Sequence, residues 1–339
     1  MSFLLFCGAL AAGIVPAFGQ PGVSPGPGAR YATDAYPAFD RVDENVRPEK
    51  KEPKWFSFIN GPKMGNAAEQ FAWANSCAAD GSWSKAVRAY DALVREWPLA
   101  PEAPKAQKAM AEILLEKELD FAEAFDAYRY LLDFYSLDCD YSAIAELLYK
   151  IAGLMRQEGK TLVFFRFANT EDVRRAYESL VIRAPGAAFV PQAMLVIASL
   201  REDAGEDAKA VAVYENLRNL HPDSPEAVVA LYREAKVRMR LLEAHGYNRA
   251  RVADTARFLR QALRTEVAGD ERAQIEVWLG QTLAHQEDEA YRAALFYDSR
   301  MRTKRSAISA YERFLSDYPT SRHAEDVRRR LEALKEQGK

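Results

Sequence analysis

The run Ala86-Val87-Arg88-Ala89-Tyr90-Asp91-Ala92-Leu93-Val94-Arg95-Glu96-Trp97-Pro98 decides how this chain folds. Ala86, Tyr90 and Leu93 follow one another at intervals of four and three residues, so they share one helix face, and Pro98 stops that helix. The pattern returns as Ala210, Tyr214, Leu217 and Pro222, and again as Ala307, Tyr311, Phe314 and Pro319. Looser copies are Val173, Tyr177, Leu180 and Pro185, and Ala124, Tyr128 and Leu131 with Ser136 in the proline position. A small residue lets a partner helix come close, and the tyrosine fills the space beside it.

Each copy is preceded by a second amphipathic segment and a turn: Ala67 to Ala79 before Asp80-Gly81, and Pro191 to Asp203 before Ala204-Gly205. Both glycines stand five residues ahead of the marked alanine, where a helix ending in a positive φ favours a residue without Cβ. Successive tyrosines are 38 residues apart from Tyr90 to Tyr128 and 37 from Tyr177 to Tyr214, a little over the roughly 34 of a tetratricopeptide unit. The 49 residues from Tyr128 to Tyr177 call for an insertion, for which Thr161 to Phe167 is the candidate, read as a buried loop. Further helices are expected at Ser224 to Glu243, Arg249 to Leu263, Asp270 to Gln286, Glu289 to Met301 and Lys304 to Ser316, with a closing helix from Ser321 to Lys335. The expected fold is all-α: a tetratricopeptide-like right-handed superhelix of about five helix pairs plus a C-terminal capping helix. No pair buries its own apolar stripe, so the core depends on stacking.

Outward from the repeats the composition changes. Half of the 16 Pro and nearly half of the 17 Gly fall in the first 65 residues. Residues 1–19 read as a secretory signal: an apolar stretch too short to span a bilayer, ending in Ala17-Phe18-Gly19, though without a basic residue at its start. The competing reading is a buried N-terminal helix. Leu4-Leu5-Phe6 before Cys7 is a poor lipoprotein signal, so Cys7 is taken as an apolar signal residue rather than a lipidation site. Residues 20–65 form a Pro/Gly-rich and then charged tether, with Trp55, Phe56 and Phe58 either packing on the first helix pair or serving as a docking peptide. The repeat domain covers 66–339. Cys77 and Cys139 lie on a helix face and in a loop, which predicts free thiols.

With the repeats in place, the sequence resembles the BamD family of outer-membrane assembly proteins. The likeness is carried by Tyr90 to Pro98 with Pro101-Glu102-Ala103, by Val181 to Pro185 with Pro191-Gln192-Ala193, and by Leu220 to Ser224. It also rests on Ala290-Tyr291-Arg292-Ala293-Ala294, leading to Tyr311 to Leu315 and Tyr318 to Ser321. The resemblance implies a protein at the periplasmic, inner face of the outer membrane, peripheral to it. The implied partners are the periplasmic domains of a β-barrel insertase, accessory lipoproteins and unfolded barrel substrates. The alternative is a periplasmic tetratricopeptide adaptor for another envelope process, such as cell division or peptidoglycan synthesis.

The residues do not suggest an enzyme. His221, His245, His285 and His323 show no metal-ligand spacing, and no phosphate loop, dinucleotide fingerprint or nucleophile elbow occurs. A formal charge of −3 gives no global case for nucleic acid. Glu287-Asp288-Glu289 reads as helix N-terminal charge. No cofactor or metal is expected. The expected partner-binding groove is lined from the first helix of each pair: Phe71 and Asn75, then Leu195, Ser199 and Glu202, and finally Arg292, Phe296 and Arg300.

Overall fold

The computed structural model describes residues 61–158, 169–265, 267, 269–300 and 304–336, and all regular structure among them is helical. Thirteen α-helices follow one another among the described residues. They are α1 (Ala67–Ala79), α2 (Trp83–Glu96), α3 (Ala103–Ile113), α4 (Phe121–Phe134), α5 (Tyr141–Glu158), α6 (Thr170–Arg183) and α7 (Val190–Asp203). They continue with α8 (Asp207–Leu220), α9 (Pro225–His245), α10 (Arg249–Ala262), α11 (Gly269–Arg300), α12 (Lys304–Asp317) and α13 (Ala324–Glu336). Taken in order they make six hairpins and a closing helix, one pair more than expected, because α9 with α10 and α11 with α12 each pack as a pair. The signal, most of the tether, Trp55 to Phe58 and the Thr161 to Phe167 insertion lie outside the described residues.

The repeat motif is the core. In all five copies the small residue, the tyrosine and the Leu or Phe are at most 3% exposed, from Ala86, Tyr90 and Leu93 to Ala307, Tyr311 and Phe314. The chain divides into two units, one up to Val190 and one from Pro191 onward. In the first, a buried glutamine on the first helix of a pair ties it to the second: Gln70 Nε2 donates to the Ala89 carbonyl (2.9 Å) and Gln107 Nε2 to that of Ala127 (2.7 Å). Both carbonyls belong to the residue just before the motif tyrosine. Successive pairs are joined by Tyr135, which donates to the Pro98 carbonyl at 2.9 Å, and by the Arg183 guanidinium, which grips Asp133 at 2.9 and 3.0 Å. Cys77 and Cys139 are both free thiols.

The second unit holds two apolar clusters. One gathers Leu231, Met239, Leu242, Phe258, Leu259 and Ile275; the other gathers Ala294, Ala307, Tyr311, Phe314, Val327, Leu331 and Leu334. A buried ion triad stiffens the first, with Arg218 and Arg238 donating to Glu234 (2.9 and 2.7 Å) and both guanidiniums lying over the Phe258 ring. Burial lifts the Glu234 carboxyl above its ordinary range against the pull of the two cations. Helix α11 contributes Ile275 to one cluster and Ala294 to the other, so it serves both.

That continuity corrects the sequence reading, which ended one helix at Gln286 and began another at Glu289. Gln-Glu-Asp-Glu contains no Gly or Pro to break the ladder, and the acidic residues sit mid-helix. They anchor the turn before α13. Ser321 Oγ donates to Glu287 Oε1 (2.5 Å), Arg322 Nη2 donates to both Asp288 oxygens (2.6 Å), and His323 Nε2 lies 3.0 Å from Asp288 while its ring stacks on Tyr291. Because Ser321 and its neighbours are used in this way, α13 starts at Ala324 rather than Ser321.

The turns follow the expected chemistry at Gly81 (φ +74°) and Gly205 (φ +73°). The second repeat has no glycine there. Leu119, five residues before Ala124, takes the same left-handed conformation at φ 55°, after a π-helical turn over Leu114–Glu118. A left-handed conformation costs a residue with Cβ about 1–2 kcal/mol, and Leu119 is 58% exposed, so little burial offsets it. Leu119→Gly is therefore expected to raise the urea midpoint, with a gain of about 1 kcal/mol; an unchanged or lowered midpoint would show that the leucine is not strained. In the Glu234 triad, Glu234→Ala removes the buried carboxylate from between two half-buried guanidiniums, and equilibrium denaturation should register a loss of about 1–3 kcal/mol.

Candidate functional site, a groove in the second unit

A groove of about 850 Å³ lies between α10, α11 and α12. Its walls follow from helical spacing. Gln286, Glu289, Ala290, Ala293, Ala294 and Tyr297 fall on one face of α11. Arg305, Ser309, Arg313 and Asp317 form one stripe of α12, with Ser306, Ala310, Phe314 and Tyr318 beside it. Arg249 and Ala253, four apart, come from the start of α10. The groove exists because small residues line its middle: three alanines on α11, and Ala310 with two serines on α12. From Arg305 to Asp317 it runs roughly 18 Å at 1.5 Å per residue.

The ends and the middle differ in chemistry. Arg313 pairs with Asp317 at 3.7 Å, both side chains being exposed. Arg249 and Arg305 form no ion pair among the described residues. Arg305 stands at the start of α12. Arg249 lies near Tyr318 beyond the other end, where it favours the phenolate against the burial that raises the Tyr318 pKa. Two guanidiniums thus mark opposite ends of an alanine- and serine-lined trough that also presents the Tyr297, Phe314 and Tyr318 rings. Glu289 is the remaining carboxylate on its wall.

The walls are held by the motif tyrosine. Tyr311 donates to Asp298 Oδ2 (2.9 Å), and Arg330 of α13 donates to the same carboxylate (2.6 and 3.0 Å). The Arg330 hydrogen bond holds the Asp298 carboxyl below the usual aspartate range, while burial and the Asp298 carboxylate push the Tyr311 phenol up. The same device recurs elsewhere: the Tyr90 hydroxyl donates to Asn75 Oδ1 (2.5 Å), and Tyr214 donates to Glu202. Tyr128 and Tyr177 are pushed up to about 12, chiefly by burial.

The residues expected to line a groove are placed as follows. Asn75 is exposed but occupied by Tyr90, and Phe71 is half-buried with its ring 5.8 Å from that of Tyr90. Leu195 and Ser199 are half-buried on α7, and Glu202 receives both Tyr214 and Arg240. Arg292 and Phe296 are exposed on α11 but do not line the cavity, whereas Ala293 and Tyr297, one residue later, do. The Arg300 side chain is not among those described. Sequence reasoning placed the helices that carry Arg249 and Arg305 but did not single out either arginine, because which residues line the groove depends on how α10, α11 and α12 pack.

No group of three or more His, Cys, Asp or Glu among the described residues is placed to hold a metal ion. His285 stacks on Tyr247 and His323 on Tyr291, and burial lowers the His221 pKa. No helix among the described residues is long and apolar enough to cross a membrane.

Residues 192–224 and 290–321 match the tetratricopeptide repeat model, and these segments contain the Tyr214 and Tyr311 copies of the motif. The second covers most of the α11 and α12 walls of the groove. Among solved structures, a tetratricopeptide repeat protein from Parabacteroides merdae is 14% identical, with 79% of this chain and 98% of that one covered and a TM-score of 0.29. The MamA protein is 14% identical, with 60% and 97% covered and a TM-score of 0.26. No curated protein matches the chain. The chain carries tetratricopeptide-type repeats, and a protein-binding role is the coarse reading they support.

The Asp298 cluster gives a pH test. A carboxylate with a depressed folded pKa contributes stability above its unfolded pKa, near 3.9, and that contribution is lost as pH falls through the folded value. Asp298→Asn should cost about 1–3 kcal/mol at pH 7, and the gap to the parent should narrow below about pH 4 in paired urea titrations. A gap that stays constant down to pH 2.5 would remove the ionic part of the explanation.

Proposed function

We propose that this protein is a non-catalytic scaffold that holds extended polypeptide, and that it serves the machinery assembling β-barrel proteins in the bacterial outer membrane. The observation that carries the first half is the groove: a trough about 18 Å long, with an alanine and serine middle and a free guanidinium at each end. Such a site accepts the backbone and small or aromatic side chains of a strand-like segment, and it selects carboxylates at the segment's ends. It offers no nucleophile and base in register, so binding is the chemistry it supports.

The second half rests on resemblance. Ala290 to Ser321, the stretch most like the BamD family, is also the stretch that builds two of the groove's walls. The apolar start of the chain supports export to the periplasm, with the protein peripheral to the inner face of the outer membrane. On this reading the partners are the periplasmic domains of the barrel insertase, its accessory lipoproteins and unfolded barrel substrates.

Affinity purification of the full chain from a detergent extract of envelope should recover a β-barrel insertase. Recovery of cell-wall or division enzymes without it would overturn the assignment to barrel assembly and favour an adaptor for those processes. Arg249→Glu with Arg305→Glu should reduce the recovered partner roughly tenfold, the loss expected from about 1.4 kcal/mol of charge-assisted contact.

A further inference from the structure

Helix α10 and the turn after it carry Arg249, Arg251, Arg257, Arg260 and Arg264 against a single acid, Asp254, in a chain whose net charge is −3. At about 100° per residue, Arg249, Arg257, Arg260 and Arg264 fall within an arc of about 80°, so they form one stripe, roughly 22 Å long at 1.5 Å per residue. All four are exposed. Arg257 pairs with Asp254 at 3.1 Å, whereas Arg249, Arg260 and Arg264 form no ion pair among the described residues. The helix dipole accounts for cations at the end of α10 but not for Arg249, which stands at its start, where positive charge is disfavoured. Like charges three and four residues apart, as at Arg257, Arg260 and Arg264, repel one another, and an anion laid along the stripe relieves that repulsion.

The stripe is narrow and bordered by carboxylates. Arg272 Nη1 donates to the Leu263 carbonyl at 3.0 Å, which brings the start of α11, with exposed Asp270 and Glu271, beside the Arg264 end. Along the other border, the Tyr318 phenol feels Arg249 and Arg260 together with Asp317 and Glu287. A broad anionic surface, such as a membrane, would press on those acids. A single slender chain can lie on the arginines and avoid them. Carboxylates two residues apart on an extended chain are about 6.7 Å apart, close to the roughly 6 Å between Arg260 and Arg264 along the helix. We propose that the α10 stripe is a track for an acidic, extended polypeptide segment of a partner, running on from the Arg249 end of the groove. Arg257, Arg260 and Arg264 do not line the groove itself. The track rests on the groove being a peptide seat, and it adds that the bound segment continues beyond the groove as a run of Asp or Glu.

Fluorescence anisotropy of labelled decaglutamate with the purified full chain at low salt tests this. Decaglutamate should bind the parent. Arg257→Gln with Arg260→Gln and Arg264→Gln should weaken that binding about tenfold, and lysine at the same three positions should keep it within about threefold of the parent. The lysine variant holds the charge through the same three changes, so it separates lost charge from damaged folding. Equal affinity in the parent and the glutamine variant would overturn the proposal, as would no binding to the parent or a lysine variant as weak as the glutamine one. Stripe-dependent sedimentation with vesicles of phosphatidylcholine and phosphatidylglycerol in equal parts would overturn it in favour of a lipid surface. A dimer seen by light scattering in the parent and lost in the glutamine variant would place a second copy on the stripe instead. In the envelope purification, the glutamine variant should recover less partner. Undiminished recovery would strike the track and leave the groove reading standing, whereas decaglutamate held on the stripe with no insertase recovered would remove the assignment to barrel assembly and leave the track.

Discussion

The structure depends on one contact: a small residue of one helix against its partner helix, with a tyrosine alongside whose ring is buried and whose hydroxyl must be satisfied. At 3% exposure or less in every copy, these positions are closed to solvent, with alanine at four of them and valine at Val173. An unpaired buried hydroxyl costs about 1–3 kcal/mol, and in three of the five copies the first helix of the pair offers the acceptor. Asn75, Glu202 and Asp298 are those acceptors, 12 to 15 residues ahead of their tyrosines.

This requirement also determines which surface is left for binding. A polar residue near a motif tyrosine looks available in sequence, yet Asn75 and Glu202 are committed to holding their own hairpins together. In the last hairpin, Asp298 meets the requirement near the C-terminal end of α11, and Asp288 is drawn into the turn before α13. The α11 face between them is therefore free to carry alanines. With α12 contributing serines and an alanine opposite, no side chain fills the space, and a groove results. Its arginines come from helix starts, Arg249 at α10 and Arg305 at α12, outside the repeating motif.

The repeat, its two glycine turns and most of the helix bounds that were drawn were legible because they are set by local spacing: four and three residues to a helix face, and a glycine five residues before the alanine. Two features were not. Leu119 adopts the glycine conformation without being glycine, since the π-turn and the second hairpin enforce it from outside the local sequence. Helix α11 runs through an acidic stretch that resembles a helix start, and only the pairing of Glu287 and Asp288 with Ser321, Arg322 and His323 shows why those charges sit mid-helix. On α11 the residues lining this cavity, Ala293 and Tyr297, fall one position beyond the expected Arg292 and Phe296, and one residue on a helix is a turn of about 100°.

The middle of the groove is chemically permissive. Alanine and serine walls accept any slender segment, and apolar contact of this kind separates one sequence from another by only about 1–3 kcal/mol. Discrimination falls instead to the two ends, where a guanidinium rewards a carboxylate at the right distance and penalises a lysine there. Arg305 stands on α12, and α12 is fixed in turn by Tyr311 on Asp298 and by Arg330. The tyrosine that makes each hairpin cohere thus also holds, in this last hairpin, one wall of the groove.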